Sequence, residues 1–233
     1  MAITPQQNDV FMREVDEELR RDEMIAFGRK YGRWIAILVV LFLVVLGGSL
    51  YWRYHKQQVA GAHGEQFQAA LDSLGSGKVE EAAKPLGELA QSGSDGYRAM
   101  AMFTQADLLL KKNDLKGAAA KFAQIANDSS LAKPFRDLAL IRQTSAEYDS
   151  LKPQVVIDRL RPLAVKGNPW FGSAGEMVAI AYLQENQRDR AGKLFSEIAQ
   201  DDAVPDSIRQ RAVQMAASLT AGAGDVNKDK AAK

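Results

Sequence analysis

Residues 115–125 read LKGAAAKFAQI, and three of them decide the fold: a compact Ala118, a large apolar Phe122 four residues on, and Ile125 three further. On an α-helix these positions share one face, so the stretch is a short helix with one packed side. The same order of a compact, a larger apolar and another apolar residue recurs as Ala82–Leu86–Leu89, Val156–Leu160–Leu163 and Ala191–Phe195–Ile198. Successive sets lie 36, 38 and 35 residues apart. Twelve residues before each set stand Ala70, Ala106, Thr144 and Ala179, small side chains that let a preceding helix come close. Lys121 falls on the opposite, exposed face.

A helical pair repeated at this period cannot bury its second face alone and must stack on the next pair. Breakers separate the helical stretches: Gly75-Ser76-Gly77, Ser92-Gly93-Ser94, Lys112-Asn113-Asp114, Lys166-Gly167-Asn168 and Glu185-Asn186-Gln187. Nothing alternates as a strand does. The pattern resembles the tetratricopeptide repeat, in which a tyrosine follows the first-helix small residue, as Tyr182 follows Ala179, and a proline follows the pair, as Pro205 does. It departs from that motif in lacking the first-helix tryptophan and Leu-Gly pair, and in the bulk of Val156. Pro85 and Pro162 interrupt two second helices, where kinks are expected. The expected fold is all-α: a tetratricopeptide-like solenoid of about four helical pairs over residues 53–220, behind a single transmembrane helix. An amphipathic helix from Asp206 to about Leu219 closes the stack, and the small, polar residues 221–233 form a disordered tail.

Upstream, Trp34–Trp52 reads WIAILVVLFLVVLGGSLYW without a charge. Nineteen helical residues span about 28 Å, the depth of a bilayer's hydrocarbon core. Tyr31 and Trp34 mark one end and Tyr51, Trp52 and Tyr54 the other, as rings do at headgroup level. Ala60-Gly61-Ala62 resembles a signal-cleavage site but lies beyond Trp52, Arg53, Tyr54 and Lys56, too far from the apolar core, so the segment reads as an uncleaved anchor. Arg20, Arg21, Arg29, Lys30 and Arg33 precede it, against Arg53 and Lys56 after it. This bias places residues 1–33 in the cytoplasm and the repeats across the membrane. Within residues 1–33, Asn8 or Asp9 caps a short amphipathic helix with Phe11, Val15 and Leu19 on one face. That helix either rests on the membrane or a partner, or is a solvated leader.

The absence of cysteine removes disulfides, thiolate metal sites, cysteine nucleophiles and a lipid-attachment cysteine. His55 and His63 are too few and too badly placed for a histidine-rich metal site. No glycine-rich phosphate loop, paired-histidine metal motif or Gly-x-Ser-x-Gly elbow occurs. A net charge of +1 argues against nucleic acid. The reading is therefore of a protein-binding scaffold, with no enzyme activity and no cofactor. Gly47-Gly48-Ser49 either lets another membrane helix approach or is simple tolerance of small residues near the bilayer edge.

The order of Arg29-Lys30-Tyr31-Gly32-Arg33-Trp34, the single anchor, Trp52-Arg53-Tyr54 and then degenerate helical repeats resembles the bacterial YfgM-like family of ancillary SecYEG translocon subunits. The resemblance implies an inner-membrane protein with a periplasmic repeat domain. Its implied partners are the translocon and a membrane-anchored chaperone of the PpiD type, and its task is to help newly exported proteins. A scaffold for another envelope complex, in cell division or outer-membrane assembly, is the alternative. In tetratricopeptide arrays the first helix of each pair lines the concave groove. The alignment then points Phe103, Asp107, Leu110, Glu176 and Ile180 at a partner, unless Phe103 and Leu110 are core residues or the anchor carries the binding.

Overall fold

The computed structural model describes the backbone of residues 5–231 and the side chains of residues 29–34 and 36–219. Among the described residues there are nine α-helices, one 3-10 turn and no strand. They are α1 (Pro5–Gly75), α2 (Val79–Leu89), α3 (Asp95–Lys111), α4 (Leu115–Asn127), α5 (Lys133–Glu147), α6 (Pro153–Leu160), α7 (Phe171–Gln184), α8 (Arg188–Ala199) and α9 (Asp206–Ala231). The chain divides into two compact units, Met1–Gly61 and Ala62–Lys233.

In the first unit, the described backbone is helical from Pro5 onward, through Asn8 and Asp9. The side chains of Phe11, Val15 and Leu19 lie outside the described residues. From Ile37 to Leu46 the apolar side chains are exposed.

The second unit opens with the end of α1, from Ala62 to Gly75, and α2 packs after it. Here all sixteen positions read from the repeat are buried: the four compact–large–apolar sets and the four small residues ahead of them. Three core clusters result. One gathers Ala70, Ala82, Leu86 and Leu89; the next Ala106, Ala118, Phe122 and Ile125; and the largest joins Val156, Leu160, Ala179, Ala191, Phe195 and Ile198. Thr144 is buried with its hydroxyl donating to the Leu140 carbonyl (2.8 Å), which satisfies the one polar atom of that contact. Glycine brings α7 still closer to its neighbours. A Cβ on Gly172 would stand 2.7 Å from Val204 Cγ1, and one on Gly175 2.9 Å from Ile198 Cδ1.

Three of the breakers are one device. Gly77, Asn113 and Asn186 have positive φ of 77°, 59° and 58°. After each, an N–H reaches five residues back: Lys78 to the Ser73 carbonyl (2.8 Å), Asp114 to Leu109 (2.9 Å) and Gln187 to Tyr182 (2.8 Å). Such left-handed caps satisfy the last carbonyls of a helix and turn the chain back on itself. The matching position in the third pair, Leu151, is extended (φ −86°) behind the 3-10 turn Tyr148–Ser150, and Pro153 then starts α6.

Two expectations are corrected. Pro85 lies inside α2, but Pro162 does not kink α6, because the helix ends at Leu160 and Leu163 reaches the core from the following turn. Lys121 is half-buried, its Nζ donating to Gln105 Oε1 at 3.1 Å. The last helix, α9, starts at Asp206 as expected and runs to Ala231. No proline stops it there.

Candidate partner-binding surface

The first helix of each pair presents an exposed residue directly after its buried small one. Leu71, Asp107, Ser145 and Ile180 occupy this place, and Val213 repeats it after Ala212 on α9. Asp107 and Ile180 were expected on this surface from the repeat alignment. Ile180 is 36% exposed.

Phe103 and Leu110 sit elsewhere. Both are half-buried against the Ala106–Phe122 cluster, with the Phe103 and Phe122 ring centroids 6.0 Å apart. One helical turn before and after the contact residue, an apolar side chain closes the seam between α3 and α4 rather than facing outward. Their place is in the core.

The two acids are each held by an arginine 35 residues downstream. Asp107 accepts both guanidinium nitrogens of Arg142 on α5. Glu176 is half-buried and accepts Nε and Nη2 of Arg211 on α9, each at 2.7 Å. These bonds join successive first helices, α3 to α5 and α7 to α9. The bidentate hydrogen bond to Glu176, with that carboxylate's charge, raises the Arg211 pKa further above its usual value. Exposure to water keeps such a pair modest, about 1 kcal/mol or less. The Arg142 guanidinium also lies 4.8 Å from the Phe122 ring centroid. Sequence reading missed Arg142 and Arg211, although the shared 35-residue interval was a signal.

A second type of contact closes the loop ends. Arg98, in the first turn of α3, reaches Asp95 (3.0 Å) and Asp128 (3.4 Å), and donates to Ser130 Oγ at 2.6 Å. The Ser130 hydroxyl, ahead of the Arg98 charge, holds the Asp128 carboxyl below the usual range. Tyr148 spans to α7, donating to the Met177 carbonyl at 3.1 Å, and burial pushes its phenol up, helped by Asp149.

On α1, Gly47, Gly48 and Ser49 are exposed, and a Cβ on either glycine would meet nothing within 4 Å. Cations stand over the rings at both ends of the apolar stretch: Lys30 over Tyr31 (5.3 Å), Arg33 over Trp34 (5.9 Å) and Lys56 over Trp52 (5.6 Å). Among the described residues no three histidine, aspartate or glutamate side chains gather where a metal could bind.

Antiparallel helical pairs, stacked through small residues at a period of 35–38, define a repeat protein whose exposed first-helix surface offers itself to other proteins. Residues 26–160 match the tetratricopeptide repeat-like domain, and the chain belongs to that family. No curated protein and no solved structure matches it. The matched region starts ahead of the apolar segment and ends at α6, while the helical pairing continues through α9. Tetratricopeptide-like domains serve protein–protein interaction, so the chain is a scaffold by class.

Proposed function

We propose that this scaffold is anchored in a bacterial inner membrane as an ancillary subunit of the SecYEG translocon, assisting exported proteins together with a PpiD-type chaperone. One observation carries the reading: a family-matched repeat domain follows a helix whose apolar stretch is exposed on every side. Leu38, Leu41 and Val44 are each more than 60% exposed. Each such side chain left in water forfeits about 1.5–3 kcal/mol, and a bilayer removes that cost. The five-to-two cation bias favours a cytoplasmic N-terminus and periplasmic repeats. The order of basic–aromatic edge, anchor and repeats supports the translocon assignment.

Crosslinking in native membranes followed by purification from detergent tests it. SecY and the chaperone are the expected partners. Recovery of a cell-division or outer-membrane assembly complex without SecY would replace this reading with the alternative scaffold. Orientation is checked separately on the cysteine-free background, with Gln7→Cys and with Gln124→Cys on an exposed position of α4. A membrane-impermeant thiol reagent on spheroplasts labels the second and spares the first; the opposite pattern inverts the topology.

A further inference from the structure

The second and third pairs superpose in sequence by a shift of 38 residues, which carries Ala106 to Thr144 and Phe122 to Leu160. The same shift carries Arg98 to Arg136. It also carries both of Arg98's carboxylate partners to lysines: Asp95 becomes Lys133, and Asp128 becomes Lys166. One arginine position is thus compensated in the second pair and stripped of acid in the third. The structure shows the consequence. Arg136 is half-buried and its side chain makes no hydrogen bond or ion pair, whereas the terminal nitrogens of Arg98 meet Asp95, Asp128 and Ser130; the Nε of both arginines is buried without a partner. Lys133 turns to Asp137 on its own helix, and Lys166 is exposed and unpaired. In the second pair Arg98 and Asp128 meet where α3 starts and α4 ends, and the 38-residue shift gives the start of α5 and the turns after α6 the corresponding places. No acid occupies the first turn of α5, so Arg136 also opposes the helix dipole there, while Lys133 is paired with Asp137. One pair earlier the terminal nitrogens of this arginine take carboxylates, and the Arg136 guanidinium forgoes those charge-assisted bonds.

We propose that Arg136, Lys133 and Lys166 form a docking site for an acidic segment of a partner polypeptide, which supplies the carboxylates that Asp95 and Asp128 supply to Arg98. Exposed Val165, beside Lys166, and half-buried Trp170 give such a segment an apolar edge to rest on. The site rests on the reading of the repeats as a protein-binding scaffold, but not on the translocon, and a purified-component assay lets the two fail separately.

The full chain is held in phosphatidylcholine nanodiscs and titrated with a fluorescein-labelled peptide of alternating glutamate and leucine. Lys166→Asp restores the charge pattern of the second pair, giving Arg136 a partner within the chain. The expected result is higher thermal stability with peptide affinity reduced about tenfold, the scale of a lost charge-assisted contact. Arg136→Gln weakens binding by a similar factor. Lys116→Asp, an exposed cation on α4, leaves affinity unchanged. Unaltered affinity in Lys166→Asp overturns the proposal, and so does an equal loss in Lys116→Asp, which would reduce the effect to net charge. Binding to phosphatidylglycerol vesicles with none to the peptide overturns it in favour of a lipid surface.

Discussion

Replacing Ala118 with leucine tests the stacked-pair architecture most directly. Ala118 is fully buried where α4 meets α3, in one cluster with Ala99, Ala106, Phe122 and Ile125. Leucine adds three carbons there. If the cluster could expand freely, the added apolar surface would stabilise by about 0.8 kcal/mol per methylene. It cannot, because Ala106 on the opposing helix is itself fully buried and small, so space requires moving a backbone. Overpacking of this kind costs about 1–3 kcal/mol. For a unit of this size each kcal/mol lowers Tm by about 2–4 °C, so a mid-range cost of about 2 kcal/mol gives a drop of about 4–8 °C. Ala120→Leu makes the same chemical change two residues away, on an exposed position of the same helix, and stays within about 0.5 kcal/mol of wild type. Thermal unfolding of the full chain in detergent, followed by far-ultraviolet circular dichroism, compares the two. Equal melting temperatures, or a more stable Ala118→Leu, would refute the placement of Ala118 between paired helices.

Asn113 and Asn186 hold left-handed turns, so Asn→Val at either lowers stability by about 1–2 kcal/mol while Asn→Gly is neutral or stabilising; denaturant titration distinguishes these from a tolerant loop. Tyr148 has a folded pKa raised above its unfolded value, so its contribution is complete below about pH 10 and is lost as pH rises through the folded pKa. Tyr148→Phe, which forfeits the bond to Met177, is accordingly less stable at neutral pH but loses less stability than wild type on going alkaline. A double-mutant cycle on Glu176→Gln and Arg211→Gln yields a coupling below about 1 kcal/mol that shrinks with salt, and a large salt-independent value would mean the pair is buried in an assembly. Ile180→Ser leaves the melting temperature within about 0.5 kcal/mol of wild type yet reduces partner crosslinks; undiminished crosslinks exclude α7 from the contact surface.

Legibility varied with the range of the interaction. The compact–large–apolar sets could be read because each is a statement about one helix face, and a helix period is local. Asn113, Asn186 and Gly77 could be read as breakers because a left-handed residue restricts its own identity. Pro162 was legible as a disruption but not as a terminus, since kink and stop differ only in what the chain packs against afterwards. The boundary read at Trp52 marks a change of environment, yet nothing between Trp52 and Gly75 breaks a helix, so α1 runs on through it. Phe103 and Leu110 stayed open between groove and seam because one helical turn separates the two, and that depends on how neighbouring helices cross.

By itself, then, the amino-acid sequence determined an apolar segment long enough to cross a bilayer, the number and phase of the helical pairs, and the residues at which they touch. These follow from hydropathy, from the 3.6-residue period and from side-chain volume, all written along one helix at a time. Only the tertiary structure decided which arginine meets which acid. Asp107 with Arg142, and Glu176 with Arg211, depend on helices two elements apart being set side by side. It also decided that Arg98 reaches Asp128 across to the end of α4 while the Arg136 side chain meets no acid, because such partners are fixed by the three-dimensional approach of separate helices.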